Sequence, residues 1–177
     1  VRFVDFLKAT VYLAAGAASA LAAIAVVEAS GGDAKLVGAT LGWWVVAVAV
    51  GAFLGRRSQP NGAIAALLAR ATFARALPAL EPGRVLLNRL WPLLALTVAA
   101  GVLALVVPPL PAIGAGFLII QALALRHQHA AVEAIERRDG VVFYVIKTPP
   151  LKPIVLQRTP GFKAILPDEQ LQARWGA

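Results

Sequence analysis

The amino-acid sequence predicts an all-α integral membrane protein with four transmembrane helices in two antiparallel hairpins and a small cytoplasmic tail containing a two-stranded β element. Three observations carry that expectation. The chain is 59% hydrophobic and 15% charged, against roughly 25% charged residues in an average soluble domain. Residues 9–27, 36–55 and 90–125 contain no Asp, Glu, His, Lys or Arg. Of the 17 Lys and Arg residues, all but Lys35 fall where a single membrane face would collect them.

The first uncharged stretch is long enough, at about 1.5 Å per residue, to cross a hydrocarbon core of about 30 Å. It predicts helix one over residues 9–28. A cleaved signal peptide is the competing reading, but its apolar core is shorter and ends at small residues. Here the run meets Glu28. The second stretch predicts helix two over 36–55, closed by Arg56 and Arg57. Trp43 and Trp44 lie near its middle, although indole favours the interface where its N–H meets water or headgroups. They are expected to pack between helices.

Residues 90–125 are too long for one crossing and are interrupted by Pro108, Pro109 and Pro111. Proline removes a backbone donor and disfavours helix in the residue before it, so this cluster predicts a tight turn. Helix three is then expected over 90–107 and helix four over 112–130, with Arg126 extending its long side chain to the interface. A re-entrant hairpin over 93–125 is the alternative.

Basic residues in short loops are retained on the cytoplasmic side. Arg2 and Lys8 precede helix one, six Arg residues separate helices two and three, and eight basic residues follow from Arg126 onward. Four crossings put all sixteen on one face, so both termini are expected inside a plasma (cytoplasmic) membrane. The net charge of +8 follows from this retention and suits anionic headgroups. No nucleic-acid partner is expected, because the cations are not interleaved with aromatic stacking platforms.

Small residues four apart, Gly16 with Ala20, Gly38 with Gly42 and Gly51 with Gly55, permit close approach of helix backbones. The Gly38 and Gly42 face is the candidate packing surface, within the chain or between copies in a homo-oligomer. Ionisable groups inside a bilayer usually mark ion or proton paths, and the three stretches carry none. Gln121 is the one strongly polar side chain well inside a predicted span, and its amide is expected to hydrogen-bond a neighbouring helix. Ser19, Thr40 and Thr97 can return their hydroxyls to their own helix.

Residues 1–138 thus form a membrane domain and 139–177 a cytoplasmic tail. Within the first, 61–89 reads as an interfacial segment whose helix runs from Ala63 to Leu77, with Arg70 and Arg75 toward headgroup phosphates. The last helix is expected to continue to Arg138, supported by a Glu133 and Arg137 pair, and to stop at Asp139 and Gly140. Val141 to Lys147, with Phe143 and Tyr144, and Ile154 to Arg158 read as strands. Thr159, Pro160 and Gly161 read as a turn, and Asp168 as the cap of a short helix carrying Leu171 and Trp175. A two-stranded unit is marginal alone, which makes 141–177 the segment most suited to a protein partner.

No catalytic or cofactor motif emerges. The chain has no Cys, removing thiolate chemistry, and His127 and His129, two apart on a helix, point to different faces. The expectation is a membrane protein acting by interaction, as an accessory or scaffold subunit, without cofactor or metal. The alternatives are an oligomeric channel or transporter component lined by Gln121, Ser19, Thr40 or Thr97, and a membrane enzyme acting on lipid through His127, His129 or Asp139.

Overall fold

A computed structural model describes residues 1–31, 34–57, 59–74, 82–146, 148–149 and 152–160. The element order is α1 (Phe3–Ala29), α2 (Ala34–Leu54), α3 (Gly62–Ala69), β1 (Thr72–Phe73), α4 (Pro82–Leu103), α5 (Leu110–Leu125), α6 (Gln128–Asp139), β2 (Val141–Val145) and β3 (Leu156–Pro160). Four helices, α1, α2, α4 and α5 continued into α6, are long and apolar enough to cross a membrane. The fold is mostly helical, with a small three-stranded sheet.

The four long helices are not two independent hairpins. Helix α5 is central, with α1 along one side and α2 along another, while α4 rests on α1 and α5. The physical reason lies in small side chains. Helix α5 buries Ala112, Ala115, Gly116 and Ala122, and α1 buries Ala14, Ala17, Ala18 and Ala25. Backbones therefore approach closely enough for van der Waals contact to hold them. On α2 the buried residues are Ala47 and Gly51. A Cβ added to Gly51 would stand 2.9 Å from the Leu123 Cβ, and one on Gly55 would collide with the Leu123 carbonyl. Gly116 likewise leaves room for the Trp43 indole.

The two tryptophans pack between helices as expected. Trp43 Nε1 donates to the Ile113 carbonyl at 3.3 Å and Trp44 Nε1 to the Ala112 carbonyl at 3.0 Å. The Trp43 ring also meets Phe117 edge-on, with centroids 5.3 Å apart. An indole N–H that would be costly in an apolar surrounding is thus satisfied by the first turns of α5. The hydroxyls of Ser19 and Thr97 return to the carbonyls of Ala15 and Leu93.

Pro111 lies inside the first turn of α5, where a missing N–H costs no hydrogen bond, and α4 ends at Leu103 rather than Val107, so the connection covers 104–109 and not the expected 108–111. Helix α1 begins at Phe3 rather than Ala9, and α4 at Pro82 rather than Leu90. Their added turns are held by the hydrophobic core at one end of the molecule, the sheet end. That core gathers Val1, Phe3, Val4, Phe6 and Leu7 with Ile64, Val85, Val132, Phe143, Val145 and Leu156. Charged Asp5 and Lys8 stay on the outer side of α1.

The sheet departs most from expectation. Its order is β1, β3, β2, with β2 antiparallel and β1 parallel to β3. Strand β1 comes from the segment expected to be helical through Leu77. Helix α3 instead ends at Ala69, and Thr72 and Phe73, β-branched and aromatic, pair with Gln157 and Arg158. Thr159 and Pro160 belong to β3 rather than to a turn, opposite Val142 and Val141. Arg75, Gly161 and the helix expected after Asp168 lie outside the described residues. The stop of α6 follows the sequence reading. Gly140 adopts φ 63°, a left-handed conformation that glycine takes without steric cost.

Candidate functional site

The residues that tie distant segments together are polar and lie at the sheet end. Glu136, 5% exposed, is clamped from two directions. Its Oε1 accepts the Phe143 backbone N–H at 2.9 Å, and its Oε2 accepts from Arg2 Nη2 at 2.9 Å. The Glu136 hydrogen bond raises the Arg2 guanidinium above its ordinary pKa, so the guanidinium stays charged. Next to it the chain start joins the sheet, with Val145 N–H donating to the Val1 carbonyl and Arg2 bridging Tyr144. One carboxylate therefore fixes the start of α1, the end of α6 and strand β2.

Gln128 performs a similar task about two helical turns earlier. It is 1% exposed, and its Oε1 accepts the Asn61 N–H at 2.9 Å, while Asn61 Oδ1 caps α3 through Ile64 N–H at 2.8 Å. Gln128, Val132 and Glu136 follow at i, i+4 and i+8, so the buried face of α6 is polar at both ends and apolar between. His127 lies 2.9 Å from the Gly55 carbonyl through Nδ1, which links the end of α2 to the break between α5 and α6. Asn88 donates to the Thr148 carbonyl, and Arg89 donates to the carbonyls of Lys152 and Pro153 and to Thr148 Oγ1. Helix α4 thereby holds the connection between β2 and β3.

Two concave surfaces border this framework. A cleft of about 870 Å³ lies between α3 and α6, with Leu68, Ile135 and Phe143 as apolar wall and Arg138, Asp139 and Arg158 as charged rim. Arg138 Nε meets Asp139 at 2.7 Å, whereas Arg158 is exposed on β3. A second groove, about 620 Å³, runs between α1, α4 and α5 from Arg89 and Ile154 toward Leu21 and Gly114. Exposed Arg56, Arg57, Arg70, Arg84, Arg137 and Lys152 surround the same end.

The residues singled out from sequence are scattered over this geometry. Gly38 and Gly42 face open space on α2, with nothing within 4 Å of an added Cβ, so the glycines that mediate internal packing are Gly51, Gly55 and Gly116. Gln121 is exposed in the long groove and makes no hydrogen bond to another described residue, so the expected amide bond to a neighbouring helix is not formed. Phe143 is 4% exposed and serves the core rather than an outer surface. Tyr144 is half-buried beside Arg2. The Glu133 and Arg137 pair forms at 2.9 Å as expected.

Glu136 and Gln128 were missed, although a signal existed. On a helical wheel both share the face of Val132, and a polar residue on the buried face needs a partner. Arg89 had no such signal, because its partners arrive from residues about sixty positions away. No family model, curated protein or solved structure matches the chain.

Proposed function

We propose that the chain is a multi-pass protein of the plasma membrane, both termini cytoplasmic, that acts by interaction as an accessory or scaffold subunit. The observation that supports this reading is the head at the sheet end. Segments from the chain start, 61–74, α4, α6 and the β2–β3 unit share one core there, and the basic residues surround it. Retention of Lys and Arg on the cytoplasmic side orients that head inward. The cleft between α3 and α6, apolar within and charged at its rim, is the surface offered to a protein partner. The open Gly38 and Gly42 face of α2 suits a partner helix or a second copy.

Two experiments test it. Single cysteines at Ser30 and Ser58 in this Cys-free chain should be labelled by an impermeant reagent from outside at the first position only. A photo-crosslinker at Ala134 in the cleft should trap one discrete adduct in native membranes, lost on changing Leu68→Glu. A strictly monomeric protein with no adduct at Ala134 would end the scaffold reading. A channel or transporter component is the alternative, and a liposome flux assay addresses it. Its four candidate lining residues border three separate clefts, Ser19 one, Thr40 another, Thr97 and Gln121 a third, which does not favour a single polar path. Nor do His127 and Asp139, engaged with Gly55 and Arg138, favour an interfacial enzyme.

A further inference from the structure

The groove between α1, α4 and α5 has a polarity gradient along its length. At the sheet end it is bordered by Arg89, Gln121 and Thr10, and further along by Leu21, Leu96, Ala100 and Gly114. Among the described residues Arg89 is the one charged residue on its walls, and its donation to the Lys152 backbone carbonyl at 2.6 Å brings exposed Lys152 next to that mouth. Thr10 satisfies itself on the Phe6 carbonyl. The Gln121 amide, in contrast, has both donor and acceptor capacity directed at the groove without a described partner. In an apolar surrounding an unbonded amide is costly.

The dimensions fit one leaflet. From Arg89 to Ala100 a helix rises about 16 Å, close to the roughly 15 Å that is half of a 30 Å hydrocarbon core. A volume of about 620 Å³ lies within the usual range of roughly 300–1,000 Å³ for small-molecule sites. The wall is apolar where a chain would lie, cationic where a headgroup would lie, and amide-bearing at the level between them. We propose that this groove holds one acyl chain of an anionic glycerophospholipid from the inner leaflet. The phosphate sits outside the mouth beside exposed Lys152, with the Arg89 guanidinium, held by the Lys152 and Pro153 carbonyls and Thr148, adding positive charge behind it, and Gln121 hydrogen-bonds the ester region. The inference rests on the membrane orientation proposed above.

The test uses full-length protein in mild detergent, with phosphatidylglycerol or phosphatidylcholine added and retained lipid counted by native mass spectrometry. Wild type should keep one phosphatidylglycerol per chain, in preference to phosphatidylcholine by roughly tenfold. Ala100→Phe fills the apolar part and should reduce retention of both lipids. Lys152→Glu, at an exposed position, should remove the preference for phosphatidylglycerol and leave helix content unchanged. Equal retention by wild type and Ala100→Phe overturns the proposal, as does indifference to the headgroup in wild type. Resistance of the chain to alkaline extraction from membranes is measured in parallel. A chain released by alkali refutes the membrane reading itself, whereas a resistant chain that keeps no lipid refutes the groove alone.

Discussion

Replacing Glu136 by Ala should destabilise the head more than any other single change to a polar side chain. The substitution leaves the Phe143 N–H, which donates to Oε1 at 2.9 Å inside the core, without an acceptor. An unsatisfied buried donor costs about 1–3 kcal/mol. Loss of one buried methylene adds about 0.8 kcal/mol, while Arg2, whose side chain is 45% exposed, rehydrates and adds at most about 1 kcal/mol. The expected total is about 2–5 kcal/mol. Glu136→Gln keeps an acceptor for Phe143 and loses only the charge toward Arg2, so its cost should stay near 1 kcal/mol. Thermal unfolding in detergent, followed by near-ultraviolet circular dichroism, measures both. Equal destabilisation by Ala and Gln would show that the ion pair, not the buried N–H, dominates. A loss below 0.5 kcal/mol for Glu136→Ala would refute the clamp altogether.

Gly116→Ala should cost about 1–3 kcal/mol through overpacking against Trp43, whereas Gly42→Ala on the open face should stay within about 0.5 kcal/mol; thermal melts of the two variants side by side decide this. Gly140→Ala forces a side chain into the left-handed region and should lower stability by about 1 kcal/mol, seen as earlier loss of the β2–β3 unit in hydrogen exchange. Gln128→Leu removes the acceptor of the Asn61 N–H and should cost about 1–2 kcal/mol, with faster exchange confined to α3 as its signature.

The helical part was legible because it depends on short-range patterns. Uncharged length located the four helices, the charges at Glu28 and Arg56 fell near the ends of α1 and α2 while α1 and α4 began before their uncharged stretches, and Gly140 stopped α6 as glycine does. What escaped depends on partners far away in sequence. Thr72 and Phe73 follow an Ala-rich and Leu-rich helix and become a strand because β3, more than eighty residues later, offers an edge. Residues 3–8 are helical because Phe3, Phe6 and Leu7 enter a core completed by Phe143 and Leu156. Gly38, Gly42, Gly51 and Gly55 share one spacing, and nothing local tells which pair faces α5. Trp43 and Trp44 held the discriminating information, since two mid-span indoles require acceptors, and the helix supplying them is the neighbour of α2.

The distribution of polar contacts gives the molecule a direction. Among the described residues, the long-range side-chain bonds of Arg2, Asn88, Arg89, Gln128 and Glu136 all lie at the sheet end, whereas the long helices are joined chiefly by Ala, Gly and two indoles. Hydrogen bonds fix register and orientation, and small residues let helix backbones approach closely enough for van der Waals contact. The head is therefore held by polar contacts, while α2 is fixed on α5 by the Trp43 and Trp44 indoles, by His127 on the Gly55 carbonyl and by close packing at Gly51 and Gly55. A partner docking between α3 and α6 would meet a surface held by polar contacts, and a partner helix against Gly38 and Gly42 would meet an open small-residue face. If both surfaces are used, binding at the cleft should depend on Glu136 and binding at α2 should not, which separates the two roles without knowledge of either partner.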